Sequence, residues 1–469
     1  MNWSKMFNEE KPLFSSQFRA ASTAVLIAFM AGSLIVLPIF QMAPIKIISL
    51  YMVAACMMGV IIIRKNRINI YGISIFCFLC AGLISLAPRP GNMTTLAATS
   101  YLLSYRYGVS SRSFIATIVD LLCNGGFVSK FFVWHFIFCG TVFLIFLISC
   151  FMGIVIQKST PELKPFVLFL SLFYLTCFTS PFAYFVHGNF GRVEVFAFIF
   201  MLVMLAVFER PVLRWIIPVL ALFTMATHII LVFFYVPFIV IMLSYKLSAK
   251  EYKTRSDILL SLVTISVIIT AFLLYFFARE KTFAFKNAQS LAECLQAKSD
   301  LDFNEDLLYM TLFARLQDHL EGWKNIVTPK FSGNISILIN IPFVVGFVVF
   351  WIKCFLHETK KTLKFFFILP ILLLLYHMTV FFMFLDFGRW MIMIMNIQLM
   401  LFFYLLYVQN KTVVSLVGKA TPFVVKYCFA GILIFVFMAF LGPVNQISPS
   451  ERVMRIMKGI LIVFGMSPL

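Results

Sequence analysis

The chain contains 469 residues, of which 62% are hydrophobic and 12% are charged, and its formal net charge is +19. With a mean hydropathy of +0.99, this composition excludes an ordinary soluble protein, because roughly 20 consecutive apolar residues form a helix that crosses the hydrocarbon layer. The positive charge fits the excess of Lys and Arg in the cytoplasmic loops of membrane proteins, so we expect no nucleic-acid partner.

Apolar stretches recur along the whole chain and predict an all-α, polytopic integral membrane protein with about 12–13 transmembrane helices and long outer loops that carry interfacial helices. A cytoplasmic N-terminal tail is predicted over 1–21, a transmembrane domain over 22–442, and a C-terminal tail with a candidate interfacial helix over 443–469. The predicted spans are 22–41, 45–63, 69–87, 131–156, 165–181, 193–208, 212–227, 229–245, 257–277, 333–354, 364–385, 389–408 and 423–442.

Segment 212–245 allows two interpretations, one overlong tilted helix or two short helices that turn near His228. Two helices leave the basic clusters of all the neighbouring connections on one side of the membrane, whereas one helix inverts everything downstream. We therefore favour two helices, and the basic side is the cytoplasm. The main clusters are Arg64, Lys65 and Arg67, then Lys246, Lys250, Lys253 and Arg255, then Lys353, Lys360, Lys361 and Lys364.

Under this topology four connections share the outer face. They are residues 88–130, 182–192, 278–332 and the turn from Asp386 to Arg389. Loop 278–332 contains eight of the 19 acidic residues of the chain, and apolar residues recur at helical spacing from Tyr309 to Val327. This pattern predicts an amphipathic helix on the outer membrane surface.

Loop 88–130 is too long for a simple connector. Arg106 and Arg112 flank a turn rich in Gly and Ser, and the run from Ser113 to Leu122 is typical of a helix. Two guanidinium groups beside a helix N-terminus indicate an anion site, although an interfacial helix whose arginines meet lipid head groups is an equal alternative. Asp120 either acts as a general base or forms a structural salt bridge.

The next outer connection contains His187, Arg192 and Glu194. Glu194 enters the following span, where an acid is costly unless it is paired or functional. Arg192 is only two residues away, and positions i and i+2 do not face each other on a helix. We therefore expect Glu194 to have a partner elsewhere in the chain or in a substrate.

Two further polar positions fall on the predicted outer face. His228 lies between two apolar helices, where a packing role competes with a functional one. Asp386 and Arg389 join two spans and either pair with each other or face a shared cavity. The sequence has no metal-ligand cluster, Gly-rich nucleotide loop or nucleophile elbow, so no metal and no cofactor are expected.

The architecture, together with these four outer connections, resembles multi-spanning glycosyltransferases that use polyprenyl-linked donors outside the cytoplasm. It is similar to bacterial O-antigen and capsular polysaccharide polymerases and, more loosely, to the GT-C superfamily. In that superfamily the first outer loop usually carries the key acid. Here the connection near residues 42–44 is too short, so Asp120 would take that part.

The resemblance implies an enzyme of the bacterial inner membrane, with a cytoplasmic N-terminus, that moves a glycan from undecaprenyl pyrophosphate to a sugar hydroxyl. Lipid and other membrane proteins of polysaccharide assembly are the implied partners. The residues implied in binding the substrate and its pyrophosphate are Arg106, Arg112, His187, Arg192 and Arg389, and those implied in catalysis are Asp120, Glu194, His228 and Asp386.

A flippase for lipid-linked oligosaccharides is the alternative, because it also needs about a dozen spans and basic groups in a cavity. Such a transporter is expected to carry charges near the middle of the bilayer and to have short loops on both faces. The predicted spans are nearly free of charge in their middles, and the outer loops are long. The sequence therefore favours the transferase.

Overall fold

A computed structural model describes residues 15–39, 43–65, 69–110, 112–176, 180, 185, 189–249, 255–279, 285, 287–303, 305–309, 312, 331–380 and 387–441. Across these ranges the regular structure is helical, apart from one parallel bridge between Val128 and Ser299. The predicted all-α class is confirmed.

The first half of the chain contains α1 (Ser16–Ile39), α2 (Ala43–Lys65), α3 (Ile70–Leu86), α4 (Thr95–Ser100), α5 (Ser113–Leu122), α6 (Lys130–Lys158), α7 (Lys164–Thr176), α8 (Glu194–Phe208), α9 (Ile217–Thr227) and α10 (Tyr235–Ala249). The second half contains α11 (Arg255–Arg279), α12 (Ala288–Gln296), α13 (Glu305–Leu308), α14 (Phe331–His357), α15 (Lys361–Phe366), α16 (Ile368–Val380), α17 (Phe387–Tyr407), α18 (Lys411–Lys426) and α19 (Cys428–Leu441). Short 3₁₀ turns cover Tyr105–Tyr107, Leu213–Ile216 and Ile229–Phe233.

Among the described residues, six helices are long and apolar enough to cross a bilayer. They are Ser16–Leu37, Pro44–Ile63, Lys130–Lys158, Ile229–Ala249, Arg255–Ala278 and Arg389–Tyr407. The pair Lys411–Lys426 and Cys428–Ile434 adds a seventh if the two helices, bent by 83°, form one span. Other predicted spans correspond to apolar helices of 10–17 residues, each about 15–26 Å long against a hydrocarbon layer of ~30 Å. The chain is a polytopic helical membrane protein.

Helices α6 and α17 form the centre of the bundle. In their most apolar stretches 72% of α6 and 94% of α17 are buried inside the protein, against 11% for α1 and 22% for α11. Helices α1 and α11 therefore present most of their side chains to lipid. Helix α8 packs against α6 and α9, so its first residue, Glu194, is placed deep in the protein.

Close helix packing in the bundle depends on small residues. A Cβ atom at Gly153 of α6 would lie 2.7 Å from the backbone of Gly72 in α3, so both positions require glycine for this approach. Small residues at a helix interface let backbones come together and increase van der Waals contact, which is a main source of helix association in lipid.

The helical segment 212–245 is interrupted at His228, which confirms the favoured interpretation of this segment as two helices. Helix α9 ends at Thr227, the backbone of His228 is extended, and a 3₁₀ turn leads into α10. His228 thus caps the 3₁₀ turn, and its carbonyl accepts from the backbone N–H of Leu231 over 2.9 Å.

Two helix boundaries differ from the sequence expectation. Helix α1 begins at Ser16 instead of residue 22, and α18 runs through Phe423, where a span was predicted to begin. Pro422 and the lysines of α18 do not end that helix, and the apolar helix starts only at Cys428. The predicted amphipathic helix over 309–327 lies almost wholly outside the described residues, and both terminal tails lie wholly or largely outside them.

The long outer connection 88–130 is folded. The predicted helix Ser113–Leu122 is confirmed as α5, and α4 lies ahead of it in the same connection. The end of this connection pairs with the segment that follows α12: Ser299 Oγ donates to the carbonyl of Val128 at 2.6 Å, and the backbone N–H of Lys130 donates to Asp300. These contacts join the end of the connection 88–130 to the segment around Ser299 and Asp300.

Candidate functional site

A buried ionic cluster joins three segments that are far apart in the sequence. Arg389, at the start of α17, donates to Glu194 Oε1 over 3.2 Å, and His228 Nδ1 lies 3.3 Å from the same oxygen. Glu194 and His228 are each 1% exposed, and Arg389 is 2% exposed. The prediction that Glu194 has a partner elsewhere in the chain is confirmed.

Arg112 brings the outer connection 88–130 into this cluster. Its Nε lies 3.5 Å from His228 Nε2, and one terminal guanidinium nitrogen donates to Ser100 Oγ over 3.2 Å. A guanidinium cannot accept a hydrogen bond, so Nε2 of His228 is the acceptor in this contact. With Nε2 as the acceptor, a neutral imidazole carries its proton on Nδ1, which lies 3.3 Å from Glu194 Oε1 without hydrogen-bond geometry.

This order of contacts gives His228 a defined chemical role. The Glu194 carboxylate, 3.3 Å from Nδ1, stabilises by its charge the imidazolium that forms when Nε2 takes a proton. Nε2 is thus the basic atom of the cluster, and a guanidinium lies next to it. A base beside a fixed positive charge suits a reaction that takes a proton from a hydroxyl while an anion departs.

Arg192 supplies a third guanidinium near Glu194. It is 4% exposed and follows Gly191, whose φ is +96°. A Cβ atom at Gly191 would lie 2.9 Å from the Cβ of Ala97 in α4, so glycine is needed both for the backbone angle and for the contact. This turn fixes the position from which Arg192 and Glu194 enter the site.

Three guanidinium groups, from Arg112, Arg192 and Arg389, come together around the Glu194 carboxylate and His228. Arg can bond two oxygens of a phosphate group at once, so these groups are chemically suited to contact an anionic ligand.

Tyr101 belongs to the same region, and the sequence analysis did not single it out. The side chain is 1% exposed, and its hydroxyl has no hydrogen-bond partner among the described residues, which also holds for Glu194 Oε2. Burial, with the Glu194 charge nearby, raises the pKa of Tyr101 well above its usual range, so the hydroxyl stays protonated. Buried polar atoms of this kind are normally satisfied by a ligand or by water.

Asp120 and Arg106 form a separate pair. Arg106 Nε lies 3.5 Å from Asp120 Oδ2, Ser104 donates to the same carboxylate over 3.4 Å, and Arg106 also donates to the carbonyl of Gly125. The Arg106 side chain is 47% exposed. These contacts brace the ends of α5, which fits the salt-bridge alternative for Asp120 and makes Glu194, instead of Asp120, the acid of the buried cluster.

Two candidate residues, His187 and Asp386, lie outside the described residues. The predicted pairing of Asp386 with Arg389 is therefore not addressed by the described residues. Arg389 contacts Glu194, 195 positions away in sequence. Phe234 stacks on Trp390, with ring centroids 4.8 Å apart, and the guanidinium of Arg389 lies 4.1 Å from the Trp390 ring centroid. The Arg389 guanidinium therefore packs on the Trp390 ring, which in turn stacks on Phe234.

Polar side chains in the middle of α17 also escaped the sequence analysis. Asn396 accepts from the Tyr174 hydroxyl over 2.7 Å, and Gln398 accepts from Trp351 Nε1 over 2.7 Å. Both amides are fully buried and neutral. They link α17 to α7 and α14, and hydrogen bonds of this type hold membrane helices together.

Other charged pairs lie near the end of α8 opposite Glu194, and of these Arg214, Asp257 and Lys246 are buried. Arg214 pairs with Asp257, and Tyr404 donates to Glu209 over 2.5 Å, with Lys246 3.4 Å from the same carboxylate. The predicted topology places these groups at the cytoplasmic side. Each charge has an opposite partner, so these pairs have the character of structural contacts.

Across the described ranges, no group of three or more His, Cys, Asp or Glu side chains is arranged to hold a metal ion. Comparison of the chain with protein-family models, with curated proteins and with solved structures found no match.

Proposed function

We propose that this protein is a membrane glycosyltransferase, of the polysaccharide-polymerase type, that uses a polyprenyl-pyrophosphate-linked glycan at the outer face of the membrane. The single observation that carries the proposal is the buried cluster of Glu194, His228, Arg112 and Arg389, in which a carboxylate-backed imidazole lies beside guanidinium groups. The cluster combines a base with anion-binding groups, which are the two needs of this reaction.

In the proposed reaction, the hydroxyl oxygen of the acceptor sugar attacks the anomeric carbon of the donor, and the bond from that carbon to the pyrophosphate oxygen breaks. The pyrophosphate leaves with the bonding electron pair. Arg112 and Arg192 stabilise the negative charge that develops on it. For the step to occur, Arg112 turns from His228 to the pyrophosphate, which frees the Nε2 lone pair of His228. The hydroxyl proton then passes to Nε2, and the nearby Glu194 carboxylate stabilises the resulting imidazolium.

The neutral groups of the site suit a saccharide. Ser100 already contacts Arg112, and the buried Tyr101 hydroxyl has no partner within the described part of the chain. An unsatisfied buried polar atom costs about 1–3 kcal/mol, so a hydroxyl-rich ligand that bonds Tyr101 relieves this cost in the complex. The arginines favour an anionic ligand, whereas the Tyr101 and Ser100 hydroxyls favour a ligand with hydroxyl groups. A sugar linked to pyrophosphate has both anionic and hydroxyl groups.

The test uses cells that lack the chain and are complemented with wild type, Arg112→Ala, Arg192→Ala or Arg89→Ala. Arg89 lies in the same outer connection but is exposed and outside the cluster, so it is a matched control. We expect the two cluster variants to lose long polysaccharide while single repeat units still reach the outer face, with normal membrane levels of each protein. Wild-type polysaccharide in both cluster variants would refute the proposal.

A lipid-linked oligosaccharide transporter is the second candidate, and the observation that favours it is the set of buried amides Asn396 and Gln398 in the middle of α17. These amides, however, bond to Tyr174 and Trp351 and have no charge. The same complementation experiment separates the two functions, because a transporter defect leaves lipid-linked units on the cytoplasmic face.

A further inference from the structure

His377 in α16 is a completely buried histidine. Its Nε2 lies 3.1 Å from the carbonyl oxygen of Phe233. Because a carbonyl oxygen only accepts, the Nε2–H group donates this hydrogen bond. Nδ1 is also buried, and it has no hydrogen-bond partner among the residues that the structure describes. A neutral ring with this contact therefore leaves Nδ1 as an unsatisfied acceptor.

Stability alone does not account for a histidine at this position. A phenylalanine would bury an aromatic ring of similar size without an unpaired nitrogen. The net gain from one neutral hydrogen bond does not exceed the cost of one unsatisfied buried acceptor, so the imidazole adds no net stability over a phenyl ring. What the imidazole adds is a directional bond to the backbone of Phe233, and such a bond fixes position.

The bond from His377 anchors the 3₁₀ turn that begins at His228. The carbonyl of His228 accepts from the backbone N–H of Leu231, and the carbonyl of Leu231 accepts from the N–H of Phe234 over 3.1 Å. Phe233, which accepts from His377, is the last residue of this turn. A shift of the turn at Phe233 is therefore passed along the backbone to His228.

The ring of His377 also leads to Arg389. It stacks on Phe234, with ring centroids 5.1 Å apart and planes inclined by 22°. Phe234 stacks in turn on Trp390, whose ring centroid lies 4.1 Å from the Arg389 guanidinium. One side chain thus contacts the supports of both His228 and Arg389, the two groups that flank Glu194.

We infer that His377 is a positioning residue for the buried cluster. Through the 3₁₀ turn it holds the imidazole of His228 in place, and through the aromatic stack it holds the guanidinium of Arg389 against Glu194. This inference rests on the proposed function, since His228 is the base of that reaction, but the positioning itself is measurable without turnover.

The first test observes His228 directly. The full chain, labelled with ¹⁵N-histidine, is placed in nanodiscs of phosphatidylethanolamine and phosphatidylglycerol, and ring signals are recorded by solid-state NMR. His228 is assigned by the signal that is lost in His228→Gln. His377→Phe keeps a ring that can stack on Phe234 but removes the N–H donor. We expect the ring signals of His228 to shift or broaden in this variant, and unchanged signals would overturn the inference.

His357→Phe is the matched control. His357 also bonds a backbone carbonyl, that of Lys353 over 2.9 Å, but it is exposed at the end of α14. We expect this variant to leave the His228 signals at their wild-type positions. Changes in His228 as large as those in His377→Phe would mean that the response is not specific to His377, and would overturn the inference.

His377→Gln tests the hydrogen bond by rescue. Its side-chain amide can donate to the carbonyl of Phe233, although it has no ring to stack on Phe234. We expect the His228 signals of this variant to lie closer to wild type than those of His377→Phe. A displacement as large as in His377→Phe would contradict anchoring of the turn by the N–H group.

Turnover gives an independent measurement. We expect kcat of His377→Phe to fall at least about tenfold, because a small displacement of the base is costly in the transition state, while KM for the donor stays within about twofold of wild type. A raised KM with unchanged kcat would contradict a role in positioning the base. His357→Phe should change neither constant.

These measurements separate the inference from the proposed function. Altered His228 signals in His377→Phe, with no sugar transfer by the wild-type protein, would refute glycosyl transfer and leave the positioning role standing. Sugar transfer with unaltered His228 signals would refute the positioning role and leave the transferase standing. If His377→Phe fails to insert, the wild-type spectrum decides: a His377 ring protonated on Nε2 supports the inference, and a proton on Nδ1 alone overturns it.

Discussion

Replacing Glu194 by Gln should destabilise the protein far more than a neutral change of similar size normally does. The Glu194 carboxylate meets Arg389 at 3.2 Å and His228 at 3.3 Å, and all three side chains are at most 3% exposed. Removing one member of a buried ion pair leaves the other charge uncompensated in a low-dielectric environment. The expected loss in free energy of unfolding is about 3–5 kcal/mol.

The same reasoning predicts strong coupling between the two partners. The double variant Glu194→Gln/Arg389→Met removes both charges and keeps side-chain bulk beside Trp390, so it should recover most of the stability lost by Glu194→Gln alone. Unfolding of the purified protein in mixed micelles, followed by loss of tryptophan fluorescence, gives the four free energies of the double-mutant cycle.

Glu293→Gln is the control for this cycle. Glu293 is exposed on α12, and its substitution is expected to change the free energy of unfolding by no more than about 0.5 kcal/mol. The reasoning is refuted if Glu194→Gln is as mild as Glu293→Gln, or if the effects of Glu194→Gln and Arg389→Met simply add.

Three further predictions address the site and its surroundings. Arg112→Lys keeps the charge but cannot reach both partners of the guanidinium, so the initial rate of transfer should fall roughly tenfold or more, with unchanged membrane insertion; a rate equal to wild type would show that only the charge matters. Gly191→Ala places a Cβ atom 2.9 Å from the Cβ of Ala97 at a residue with positive φ. We expect the free energy of unfolding to fall by about 1–3 kcal/mol and the rate of transfer to fall with it. Wild-type stability and rate would mean that the turn relaxes freely. Arg214→Met breaks the buried pair with Asp257, near the end of α8 opposite Glu194. We expect the free energy of unfolding to fall by about 3–5 kcal/mol, with no change in the rate of transfer per folded molecule. A selective loss of transfer would assign this pair to the reaction.

Local sequence patterns were sufficient for the features that depend on nearby residues. The apolar run and its flanking turn predicted Ser113–Leu122 as a helix, and the charge distribution around 212–245 predicted the break at His228. The cost of an isolated acid in an apolar span also predicted that Glu194 has a distant partner. In each case the evidence lies within one segment or in a general rule of membrane proteins.

Pairings between distant segments were not accessible in this way. Nothing near Arg389 indicates that its guanidinium meets Glu194, because the contact depends on α8 and α17 packing against the same parts of the bundle. Asn396 and Gln398 are neutral residues within an apolar run, and Tyr101 is one of several neutral tyrosines and serines in the connection 88–130, so hydropathy and charge patterns do not single them out. At the junction of α18 and α19, the lysines of α18 and the apolar run from Cys428 mark a boundary, but they do not determine the 83° angle between the two helices.

The most direct test of the central claim is transfer by the purified chain in nanodiscs, supplied with a polyprenyl-pyrophosphate-linked glycan and an acceptor saccharide. Products would be resolved by mass spectrometry for wild type, His228→Gln and the exposed control Glu293→Gln. We predict chain extension with release of polyprenyl pyrophosphate by wild type and the control, and a rate about 10²–10⁴-fold lower for His228→Gln. Absence of any product with the folded wild-type protein, or an unchanged rate for His228→Gln, would contradict the account.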